Sequence, residues 1–131
     1  MEKIIDVAAA VIKKNSLILV ARRAKGEHLA GKWEFPGGKI EPHETPEHCL
    51  QRELREEFSI ITRPGAFIGE STFHYPDKSI RLLAYEVVWL KGDFMLCVHD
   101  KIDWVRPEGV LAKELAAADI PIAHMLRSKT P

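Results

Sequence analysis

Leu50, Leu54 and Phe58 recur at i, i+4 and i+8, and Thr45-Pro46 stands just ahead of them. Residues four apart stack on one face, so the spacing predicts a helix from Pro46 to about Phe58. Thr45 supplies an N-cap hydroxyl, and Pro46 suits the first helical position, where its missing N–H costs nothing. Glu53, Glu56 and Glu57 sit on this helix at i, i+3 and i+4, beside the apolar stripe. Glu53 and Glu57 form a like-charge pair one turn apart, which costs a few tenths of a kcal/mol. Glu56 and Glu57 also lie in the last turn, where the helix dipole disfavours anions. Arg52 pairs with Glu56 only in the less favourable order. Several local rules are broken in one turn, and such breaches tend to mark functional sites. The competing reading is a solvated acidic face with Arg52 and Arg55 as partial neutralisers.

The surrounding chain frames this helix. Ile4 to Ile12 and Leu17 to Ala21 read as strands of a hairpin closed by Lys13-Lys14-Asn15-Ser16. Residues 24–32 lack a period and read as a loop, Trp33-Glu34-Phe35 is a short extended piece, and Pro36-Gly37-Gly38 reads as a tight turn. Ala66 to Tyr75 and Ser79 to Trp89 are predicted strands joined by Tyr75-Pro76-Asp77-Lys78, and Ile102 to Val105 a further short one. Pro107 to Leu115 and Pro121 to Arg127 are predicted helices. This order predicts an α/β (α+β) fold with a mixed sheet and helices packed on it.

Composition narrows the chemistry. A chain of 131 residues fits one domain, read as 1–131. With 19 basic against 19 acidic residues, no global field grips a nucleic-acid polymer or an anionic membrane. No apolar run reaches the roughly 18 residues that span a bilayer. The first residues lack a signal-peptide pattern, so a cytoplasmic location is expected. Cys49 and Cys97 are too few and too far apart for a zinc site or disulfide framework, and both are expected to be buried small hydrophobes.

Three convergent carboxylates beside a core call for a cation. All-oxygen ligands suit Mg²⁺ or Mn²⁺ rather than zinc. Gly37-Gly38 lets the backbone approach such a cation or a phosphate, and Lys39 adds a positive charge on the same segment. Turn and glutamates together describe a metal-assisted phosphate site.

Gly38, Glu44, Arg52-Glu53-Leu54, Glu56-Glu57, Ser59 and Ile60 keep a spacing that resembles the Nudix box over residues 38–60. Arg22-Arg23-Ala24, Trp33 to Lys39 and Glu44-Thr45-Pro46 extend the likeness to MutT-type nucleoside triphosphate pyrophosphohydrolases, and a weaker likeness continues to Ala118-Asp119-Ile120-Pro121. One position departs: Ser59 stands where the family has glycine, at a helix end that favours a left-handed residue. The resemblance implies an α/β/α sandwich and a magnesium-dependent hydrolase, with Mn²⁺ as an alternative ion. It implies Glu53, Glu56 and Glu57 as metal ligands, joined by the Gly37 carbonyl. It also implies that Arg52 holds the glutamates and that Glu44 supports the loop–helix geometry.

Some MutT-type enzymes carry a glutamate where Val98 stands, so His99, Asp100 or Glu53 is left as proton acceptor, with Asp100 entered as the catalytic choice. A polar loop with local hydrogen bonds is the bland reading of His99 and Asp100. Arg23, Trp33, Phe35, Gly38, Lys39 and Asp119 are assigned to substrate. Phe35 is suited to stack on a base, although Trp33 or Phe35 is equally expected in the core. Asp119 is read either as a helix N-cap or as a carboxylate accepting N–H donors from cytosine, guanine or 8-oxoguanine, which disfavours uracil and thymine. The substrate is then a nucleoside triphosphate, with 8-oxo-dGTP ahead of CTP or 5-hydroxy-CTP. A nucleotide-binding sensor without catalysis is the alternative from another class. A monomer and a homodimer are both compatible with the sequence.

Overall fold

The computed structural model describes residues 3–128. Chain order is β1 (Ile4–Lys14), β2 (Leu17–Arg23), β3 (Trp33–Glu34), β4 (Gly37–Lys39), α1 (Pro46–Phe58), β5 (Ile61–His74), β6 (Ser79–Lys91), β7 (His99–Val105), two short 3₁₀ turns (Pro107–Ala112 and Ala117–Asp119) and α2 (Ile120–Ser128). The strands form a mixed sheet in the order β3-β2-β1-β6-β5, with β4 paired to β1 and β7 to β2. β1 and β6 run parallel and the other pairs antiparallel. β1 and β2 do close a hairpin, with Lys14 opposite Leu17. Asn15 and Ser16 both adopt positive φ, the conformation that a two-residue hairpin turn of matching twist requires.

Alternation along the central strands builds two cores. Ala9, Val11, Ile18 and Val20 face one side, against Ile122, Ala123 and Leu126 of α2. Ala8, Ala10, Ile12, Leu19 and Ala21 face the other, against Leu50, Leu54 and Phe58 of α1. Successive residues of a strand point to opposite faces, so each strand feeds both layers. The alanines of β1 leave room for the helices to approach the sheet.

Four expectations are corrected. Gly37-Gly38 is not a tight turn but the start of β4, paired with β1 through Ala9–Gly37 and Ala8–Gly38. A Cβ on Gly37 would overlap the Ala8 carbonyl, so close strand approach is what this glycine serves. Residues 107–112 wind as a 3₁₀ turn rather than a helix reaching Leu115. β5 begins at Ile61, ahead of the expected Ala66. Cys49 is buried as expected, but Cys97 is exposed, in the segment just before β7.

Candidate active site

Helix α1 carries the site's acids and is fixed at both ends. The Thr45 hydroxyl accepts the His48 N–H at 3.1 Å, with Pro46 at the first turn. At the far end Ser59 takes the left-handed conformation, φ 60°, and its N–H reaches the Arg55 carbonyl at 3.0 Å. The serine thus occupies the capping geometry that glycine adopts without steric cost. Cys49, Leu50, Leu54 and Phe58 are buried, which sets the rotation of the helix and the direction of Glu53 and Glu57.

Arg52 organises the acidic turn. Its Nε and Nη2 grip Glu44 at 2.7 and 2.9 Å, a two-pronged carboxylate contact. Nη1 donates to Glu53 at 2.8 Å and to Glu56 at 3.2 Å, and Nη2 also reaches the Lys39 carbonyl at 3.1 Å. The Arg52 contacts hold the Glu44 carboxyl down at about 2. Glu53 lies directly against Gly38, where any Cβ would overlap its carboxylate. Burial raises Glu53 above the ordinary carboxylate range, against the pull of Arg52.

Glu57 is pushed up to about 8, first by burial, then by the charges of Glu53 and Glu34. Its Oε2 is buried and has no hydrogen-bond partner. A buried carboxylate oxygen without a donor is costly unless a proton or a cation satisfies it. Glu56 is different: its side chain is 60% exposed and held by Arg52. Among the described residues, no three His, Cys, Asp or Glu side chains gather closely enough to hold a metal ion. Glu53 and Glu57 are thus the inward-turned members, and Arg52 stands between Glu53 and Glu56.

A cavity of about 200 Å³ adjoins this acidic turn. Arg23, Phe35, Gly37, Gly38, Lys39 and Asp119 line it, as do Glu34, His28, Tyr75 and Lys78, which sequence reasoning did not single out. Trp33 is not among its walls: it is buried in the core, with Lys113 Nζ 4.2 Å from its ring centre. Phe35 serves both readings, as a core residue that also lines the cavity. Asp119 is buried, and its Oδ2 accepts the Phe35 N–H at 2.9 Å. Burial, helped by the Glu34 charge, drives the Asp119 carboxyl well above its usual range.

Asp100 pairs with Arg22 at 2.7 Å on an exposed part of β7 and does not line the cavity. His99 is no loop residue. It is buried in β7, stacked on Phe58 at 5.0 Å, with Nε2 2.8 Å from Glu34 Oε2. A period-two reading of Trp33-Glu34-Phe35 would have flagged Glu34 as the polar residue between two aromatics that join the core. Its partners Arg23 and His99 are distant in sequence, and no local pattern points to them.

A mixed sheet carrying an arginine-clamped acidic helix beside a glycine strand and a cavity defines a class of phosphate-handling hydrolases. The NUDIX domain family profile matches residues 3–126, and the chain belongs to this family. It is 38% identical to the CTP pyrophosphohydrolase of Escherichia coli K12 over 120 residues, covering 92% of this chain and 89% of that protein. It is 32% identical to the 8-oxo-dGTP diphosphatase of the same organism over 126 residues, covering 95% and 98%. Its fold matches the solution structure of the E. coli ORF135 protein with a TM-score of 0.87 at 36% identity, covering 97% of this chain and 91% of that one.

Proposed function

We propose that the protein hydrolyses nucleoside triphosphates to a nucleoside monophosphate and pyrophosphate, with Mg²⁺ as its cation and 8-oxo-dGTP as its preferred substrate. One observation carries the reading: one cavity is lined both by Asp119 and by Gly37, Gly38 and Lys39, and the Glu53 carboxylate lies against Gly38. The donor set fits a hard cation. The unpartnered, buried Glu57 Oε2 and the upward-shifted Glu53 are oxygens that a divalent ion would satisfy. Glu53 and Glu57 would hold it with the Gly37 carbonyl, and Glu56 would join them by turning away from Arg52. When bound, the ion neutralises polyphosphate charge and activates water.

The protein's own groups do the rest. Lys39 and Lys78 line the cavity and bring positive charge to the phosphates. Arg52 keeps Glu53 and Glu44 in register with the glycine strand. Of the three proton acceptors considered, Glu53 is the one against the cavity wall: Asp100 is tied to Arg22, and His99 Nε2 faces Glu34. Water adds to one of the two phosphorus atoms that flank the α–β bridging oxygen, its proton passes to Glu53, and the bond from that phosphorus to the bridging oxygen breaks, leaving the electron pair on the oxygen of the departing monophosphate or pyrophosphate. Asp119, on the cavity wall, would accept the N7–H that 8-oxoguanine has and guanine lacks.

A second reading, CTP as substrate, is favoured by the 38% identical relative and by the same carboxyl, which would accept the cytosine amine. Comparing kcat/KM for 8-oxo-dGTP, dGTP, CTP and dCTP with Mg²⁺ decides between them: 8-oxo-dGTP is expected first, and a strong CTP preference would reverse the order. Glu57→Gln is expected to lose about a hundredfold or more in turnover while remaining folded. Triphosphate binding without pyrophosphate release would instead leave a sensor.

A further inference from the structure

We propose that Glu34 reads the sugar, its Oε1 accepting a hydroxyl of the substrate's pentose; this rests on the nucleotide reading of the cavity given above. Glu34 ends β3, lines the cavity, and is immobilised from behind. Arg23 Nη1 at 3.1 Å and His99 Nε2 at 2.8 Å both reach its Oε2. A carboxylate only accepts, so the imidazole carries its proton on Nε2. His99 is itself fixed by stacking on Phe58, within 18° of parallel, and Arg23 by the His28 carbonyl. Oε1 has no protein donor among the described residues.

An anchored carboxylate with one oxygen uncommitted selects for a donor. It repels phosphate oxygens and the O6 of a purine, and it attracts an O–H or N–H. Its place selects the hydroxyl. Glu34 precedes Phe35, whose N–H meets Asp119, and it shares the cavity wall both with Asp119 and with Gly37, Gly38 and Lys39. The pentose lies between base and phosphates in every nucleotide. A hydrogen bond to a carboxylate acceptor discriminates strongly against a ligand lacking the donor.

The test is a cycle that changes enzyme and substrate together: kcat/KM for a ribo-, a 2′-deoxy- and a 2′,3′-dideoxynucleoside triphosphate of one base, on wild type and on Glu34→Ala. Wild type is expected to lose roughly ten- to hundredfold when the accepted hydroxyl is deleted. The step at which the loss falls identifies it: ribo to deoxy for the 2′-OH, deoxy to dideoxy for the 3′-OH. In Glu34→Ala that ratio is expected to collapse towards one. Equal kcat/KM for the three sugars on wild type alone overturns the assignment, whether or not the variant folds. An unchanged ratio in a folded variant overturns it too. Wild type that cleaves no triphosphate overturns the underlying function as well, so the two failures are distinguishable.

Discussion

Glu57 concentrates the energetics of the acidic turn in one side chain. Folded, its carboxyl keeps the proton up to about 8; its ordinary value is 4.5. Between those limits the folded state binds more protons than the unfolded one, so stability falls as pH rises through the window. Glu53 and Asp119 are shifted in the same direction. Glu44 works the opposite way and lower: its stabilisation is present above 4.5 and is lost as pH falls through about 2. On the proposed role of Glu57, a divalent cation competes with its proton. Melting curves are therefore expected to show metal-free protein losing Tm from mildly acidic to mildly basic pH, with Mg²⁺ raising Tm more at the basic end. Glu57→Gln should flatten the first slope and shrink the Mg²⁺ shift. A Mg²⁺ shift equal at both ends would contradict this account. At this scale the sequence exposed the acids through their breach of helix rules, but not their protonation, because burial depends on what the rest of the chain packs against them.

Helix α1 was legible nearly to the residue because its boundaries are written locally, in Thr45-Pro46 at one end and the left-handed site at Ser59 at the other. Strand β4 was not. Pro36-Gly37-Gly38 carries the composition of a turn, and only the long-range pairing with Ala8 and Ala9 makes it a strand. Pro107–Ala112 failed for a related reason: its residues suit a helix, yet the segment stops after two 3₁₀ turns at the extended Lys113. The helix end offers a clean test. Ser59→Gly relieves a positive φ of 60° and is expected to stabilise by about 0.5–1 kcal/mol, read as a higher urea midpoint at unchanged m-value. Thr45→Ala should cost about 1 kcal/mol by uncovering the His48 N–H.

For the molecule as a whole, the order of strands and helices was enough for the fold class, but not for the parallel pairing of β1 with β6, in which Ala8 meets Leu83 across most of the chain. That pairing puts α1 and α2 on opposite faces of shared strands. The two cores touch different atoms of the same sheet, so conservative changes in them should act independently. Ile12→Val on the α1 side and Ile122→Val on the α2 side are each expected to cost about 0.5–1.5 kcal/mol. Their sum should be reproduced by the double variant within about 0.5 kcal/mol in urea unfolding. A larger coupling would mean that the layers do not pack as separate units.

Arg52, reaching Glu44, Glu53 and Glu56 at once, has a consequence for how the protein comes to be loaded. The guanidinium is an internal counter-ion that does not deprotonate, so most of the negative turn is assembled before any divalent cation is bound. Folding and ion uptake become separate events. A chelated preparation is therefore expected to keep its architecture, inactive but intact, and to be restored by adding a divalent cation back rather than by refolding.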